Sequence, residues 1–104
     1  MQVKETLTQA RALITDQNHW TQGALARDKD NLIVDALKST AVCWCMYGAM
    51  IKVSQGKADC DKAIVLLRKK LEEMDYEIPL VSRFNDYTDH AQVLKFLDDT
   101  IASL

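Results

Sequence analysis

Three short groups of residues in this 104-residue chain carry chemistry beyond packing. The first is His19-Trp20-Thr21-Gln22-Gly23, with Arg27 and Asp28 a few positions on. The second is Trp44-Cys45 with Gly48-Ala49, and the third is Phe84-Asn85-Asp86. Arginine presents a fixed fork for phosphate or carboxylate, and tryptophan and phenylalanine offer faces for a planar ring. Asparagine, glutamine and aspartate can read the polar edge of such a ring. Most of these residues fall on expected connections, and loops on a rigid scaffold are where binding groups concentrate. The expectation is a mostly apolar pocket in which Trp20, Gln22, Arg27, Asp28, Trp44, Phe84, Asn85 and Asp86 converge on a small anionic, nucleotide-like ligand. No catalytic residue and no cofactor is assigned.

Each group also has a plain structural explanation. Trp44 on an apolar segment suits the core, and Cys45 suits an inert buried thiol. Gly48, if helical, costs about 1 kcal/mol relative to alanine, so it implies a close approach by another helix or by the Trp20 loop. Arg27-Asp28 can be a local ion pair, and Asn85-Asp86 a turn and cap. Two other functions compete with ligand capture. One is an oligomeric protein–protein interaction module built on the apolar centre and Met46, Met50 and Met74. The other is a cysteine-dependent hydrolase with Cys45 as nucleophile, His19 or His90 as base and Asp86 as orienting group. The hydrolase ranks last, because the chain has neither a nucleophile-elbow motif nor a glycine-rich phosphate loop.

The elements that must position these residues read as helices. Val3, Leu7, Ala10, Leu13 and Ile14 follow helical spacing up to about Asp16. His19 to Lys38 breaks that rhythm and predicts a loop, with a tight turn at Lys29 to Asn31 between two very short extended pieces. Ala41 to Ile51, AVCWCMYGAMI, holds no charge and predicts a central helix over Ala41–Val53, capped by Ser39 and buried on all sides. A third helix runs from an Asp59 cap to about Met74. Pro79 and the large side chains of Glu77 to Tyr87 make a connection, and Thr88 caps a last helix with Val93, Leu94, Leu97, Ile101 and Leu104 on its apolar face.

The expected fold is therefore all-α or nearly so, a single domain over 1–104: four helices around a central apolar one, with at most one tiny hairpin near Ala26 to Val34. Composition agrees with one packed core, since 48% of residues are hydrophobic. Thirteen basic and fifteen acidic residues give a net charge of −2, which argues against a broad face for duplex nucleic acid. No apolar run is long enough for a membrane span, and Lys4, Glu5 and Arg11 interrupt any signal-like N-terminus, so a cytoplasmic protein is expected. Cys43, Cys45 and Cys60 cannot all pair with one another. On a helix the first two would diverge by about 200°, so no metal is expected. The charge-free centre predicts a homo-oligomer.

At Trp20, Gln22-Gly23-Ala24, Ala26-Arg27-Asp28, Ala41-Val42, Trp44-Cys45, Gly48-Ala49 and Phe84-Asn85-Asp86, in that order, the sequence resembles an uncharacterised family of small proteins encoded by bacteria and their phages. The pattern covers nearly the whole chain, with Phe84 standing where tryptophan is the more frequent aromatic. The resemblance implies a shared fold and no known activity. Its phage side suggests capture of a host signalling molecule as the form that ligand binding would take.

Overall fold

Residues 2–56 and 58–104 are described by a computed structural model of the chain. Helix α1 (Val3–Leu13) comes first, and a single 3-10 turn at Gln17–His19 follows it. Three short strands are next, β1 (Ala26–Asp28), β2 (Ile33–Val34) and β3 (Ala41–Trp44). Helices α2 (Met46–Ser54), α3 (Ala58–Glu73), α4 (Val81–Tyr87) and α5 (His90–Ala102) complete the chain.

The all-α, four-helix expectation is overturned. Five helices pack with a three-stranded antiparallel sheet of order β2-β1-β3, and the fold is mixed α and β. The central apolar run divides at Cys45: its first part is β3 and only its second part is helix. Length and hydrophobicity cannot separate a buried strand from a buried helix turn, and the deciding partners are 13 to 18 positions away. Ala26 pairs with Trp44 and Arg27 with Cys43, which gives this stretch its sheet ladder. Ser39 therefore caps nothing, and Cys45 takes the N-cap position, its Sγ accepting from the Gly48 amide at 3.3 Å. Cys43 and Cys45 do not share a helix, so the angular argument against a joint metal site fails in its premise. Among the described residues, no three histidine, cysteine or acidic side chains gather as metal ligands would.

The expected turn between two short extended pieces is present. Asp28 Oδ1 accepts from the amides of Asp30 and Leu32, and Asn31 takes a left-handed φ of 65°. Helix α2, shortened as it is, still holds the centre, since none of its residues is exposed. It packs on α1, which also touches α3 and α5. Leu7, Ala10, Ile14, Met46, Met50, Leu67, Leu71 and Leu97 fill the space between them. Asp89, one residue later than expected, caps α5 in a reciprocal box with Gln92. The connection expected at Glu77 to Tyr87 contains the unforeseen α4, which begins two residues after Pro79. Among the described residues, no helix is long and apolar enough to cross a membrane.

Candidate functional site

Residues from all three chemical groups meet where the 20–25 loop crosses the end of α4 and the start of α2, with the Thr21 amide donating to the Trp44 carbonyl at 3.1 Å. Asn85 is the hub and is fully buried. Its Oδ1 accepts from Trp20 Nε1 at 2.7 Å and from the Met46 amide at 3.0 Å. Its Nδ2 donates to the Thr21 carbonyl at 3.0 Å and to Asp86 Oδ1 at 3.1 Å. The Met46 amide is one of the orphan donors at the start of α2, so Asn85 closes a helix end from another element.

Gln22 performs the opposite service. Its Nε2 lies 3.0, 3.2 and 2.8 Å from the carbonyls of Asn85, Asp86 and Thr88, the unpaired acceptors at the end of α4. Gly23 then takes a φ of +79°, open to glycine without strain, and donates its amide to Asp86 Oδ1 at 2.9 Å. Gly48 lets this loop seat. A Cβ there would stand 1.9 Å from the Leu25 carbonyl oxygen, which in turn accepts from the Cys45 amide at 3.2 Å. The close approach read from Gly48 is thus made by the Trp20 loop.

The other expected site residues take separate tasks. Arg27 donates to Thr21 Oγ1 and to the carbonyls of Gln22 and Asn31, which holds the 20–25 loop against the hairpin. Arg27 and Asn85 therefore both bond to Thr21, the first at its hydroxyl and the second at its carbonyl. Asp28 closes the hairpin turn and makes no ion pair with Arg27 among the described residues. Trp44 is buried and donates Nε1 to the Ala36 carbonyl. Phe84 faces away from the junction, with its ring centroid 4.7 Å from Phe96 and 5.4 Å from Tyr76.

Those three rings floor a groove of about 620 Å³ between the end of α3 and α5. Tyr76 is turned into it by the way α3 ends. The Asp75 and Tyr76 amides bond back to the Glu72 and Leu71 carbonyls, with Asp75 in the left-handed region at φ 57°. The rim carries Lys70 and Glu73 from α3, and Gln92, Lys95 and Asp99 from α5. Sequence reasoning passed over every one of these except Phe84. The available signal was the recurrence of Gln92, Phe96 and Asp99 along one edge of the apolar face of α5.

The chain matches a family of unknown function, DUF6197, over residues 1–103. It belongs to that family. No curated protein and no solved structure matches it.

For this DUF6197 chain the thiols read as structural. Burial pushes the Cys45 thiol above its ordinary range, the nearby Asp86 carboxylate adds to that, and the Gly48 and Tyr47 amides oppose it. Cys60 is raised as well, again chiefly by burial. A protonated, enclosed thiol is a poor nucleophile. Neither histidine is arranged as its base. His90 Nε2 lies 2.7 Å from the Ile14 carbonyl with its ring against Trp20, and His19 is exposed on the 3-10 turn. A smaller cavity of about 230 Å³ touches Cys45, Ser82 and Asp86.

Proposed function

We propose that this protein is a non-catalytic binding module that holds a small organic molecule in the groove between α3 and α5. The observation behind it is the groove's size and lining. About 620 Å³ lies within the roughly 300–1,000 Å³ of small-molecule sites, and three aromatic rings with a polar rim are what such sites present. The Trp20–Asn85 junction is less suited, because its donors and acceptors already satisfy one another. Of the small anionic, nucleotide-like ligand expected from the sequence, the flat ring suits the aromatic floor, whereas an anionic group meets rim lysines already paired with carboxylates. The resemblance to small bacterial and phage proteins fits capture of a host-cell metabolite. We place that role in the cytosol, where three free cysteines stay reduced.

Native mass spectrometry of the protein as purified from cells, beside Met74→Trp, tests this. Met74 is half-exposed on the groove wall, and a tryptophan there fills the opening. A retained small mass on the wild type that is absent from the variant is expected. A mass retained equally by both would overturn the assignment of the groove.

A second function, self-association, is supported by the outer edge of the sheet. Leu32 and Ile33 are 62% and 66% exposed beside the unpaired side of β2, and an exposed apolar edge invites pairing with another strand. The charge-free centre supports it less than its composition suggests, because within Ala41–Ile51 only Val42 is exposed and the rest is wholly or partly covered within the chain itself. Sedimentation at micromolar concentration distinguishes a species of twice 11.8 kDa from a monomer.

A further inference from the structure

The rim of the groove is neutral by construction. Lys95 Nζ stands 2.6 Å from Asp99 Oδ2 across one turn of α5, and Lys70 Nζ stands 3.8 Å from Glu73 Oε2 on α3. Asp99 holds the Lys95 ammonium above its ordinary range, as a partnered cation should be. Two cations and two carboxylates sum to no formal charge, so an incoming anion meets as much repulsion as attraction.

The neutral hydrogen-bonding groups are not balanced in this way. The Thr88 and Thr100 hydroxyls donate to the Phe84 and Phe96 carbonyls of their own helices, so their protons are engaged. Gln92 Oε1 accepts from the Asp89 amide in the α5 capping box, which leaves its Nε2 as the available end. Among the described residues, neither that Nε2 nor the Tyr76 hydroxyl has a hydrogen-bond partner. Both belong to the lining of the groove, whose floor is aromatic.

We propose that the groove selects a flat aromatic ligand of no net charge that offers an acceptor, such as a ring carbonyl, to Tyr76 Oη and Gln92 Nε2. The inference deepens the proposed binding function and rests on it. The aromatic body lies against Met74 and Tyr76, above the buried Phe84 and Phe96, and burial there supplies most of the affinity. The two donors orient it, because they otherwise lose hydration when the groove fills.

Two environment-sensitive naphthalene probes separate the possibilities. Prodan is uncharged and carries a carbonyl; 1-anilinonaphthalene-8-sulfonate has similar bulk and a fixed negative charge. Blue-shifted Prodan fluorescence that saturates and is lost in Met74→Trp is expected, with the sulfonate at least tenfold weaker. Tyr76→Phe, checked for an unchanged thermal melt, should weaken Prodan about fivefold, the equivalent of one hydrogen bond. Sulfonate binding as tight as Prodan's would overturn the selection against charge while leaving the binding module intact. Prodan affinity unchanged in Tyr76→Phe would overturn the donor assignment. Failure of both probes would instead remove the binding function itself.

Discussion

Helix α4 divides two regions with opposite character, and two adjacent residues show it. Asn85 turns into the junction with the 20–25 loop, where all four of its hydrogen-bonding capacities are filled. Phe84 turns the other way, onto the floor of an open groove whose rim keeps unpartnered donors. Thr88 serves both, its carbonyl accepting from Gln22 and its side chain lining the groove. A cluster of polar residues gathered from distant parts of a chain looks like a binding site in sequence. Here its members answer one another, and the capacity to bind something else lies across the helix.

The comparison can be broken most severely at Gly48. In Gly48→Ala the new methyl meets the Leu25 backbone, which cannot swing aside as a side chain would, so the loop must unseat. A loss of about 4 kcal/mol is expected in denaturant unfolding. Asn85→Ala should follow at about 3 kcal/mol, since it strands the Trp20 indole, the Met46 amide and the Thr21 carbonyl together. Arg27→Ala sharpens the contrast. It should lower stability by about 1.5 kcal/mol through the lost loop contacts, with Prodan binding in the groove unchanged. A variant that kept its melting temperature and lost ligand would return the site to the junction.

The smallest effect is one of pH. Both Cys45 and Cys60 have thiols raised by burial in the folded chain. Between the unfolded and folded values the native state binds more protons, so stability should fall as pH rises past the ordinary thiol range near 8.5. Cys45→Ser keeps a side-chain acceptor for the Gly48 amide and removes one of the two groups. It should flatten that alkaline decline, measured as melting temperature against pH, without reshaping the neutral region.

Much of the fold was legible because it is local. Val3–Leu13, Ala58–Glu73 and His90–Ala102 follow from helical spacing, with ends displaced by up to three residues: α1 stops at Leu13 rather than near Asp16, and Asp59 lies within the first turn of α3 rather than capping it. The turn at Asp28 to Asn31 follows from residues that bond to their own neighbours. Ala41–Trp44 was illegible as a strand because its ladder partner lies at Ala26–Asp28, and an uncharged run fits either geometry. Helix α4 was hidden by its seven-residue length and by Pro79, which marks a start as readily as a stop. Trp20, Gln22, Asn85 and Asp86 come together as expected, and Arg27 reaches them only through Thr21 and Gln22. What sequence could not supply was the direction of each side chain, and with it the difference between a satisfied network and an open one. Tyr76 and Gln92 escaped notice because nothing in their types marks an unused proton.

The hydrogen bonds that seal the 20–25 loop to α4 join residues 63 to 66 positions apart. Contacts of that span carry a large closure entropy and form late, after local helices and the hairpin exist. During synthesis the loop must therefore wait for most of the chain to emerge, with its own amides still facing water. The junction, like the α1–α5 contacts of still longer span, then acts as a late-closing latch, so weakening it should chiefly accelerate unfolding and leave the folding rate nearly unchanged. The lifetime of the native protein should in this sense depend on Asn85, whose partners lie far from it along the chain.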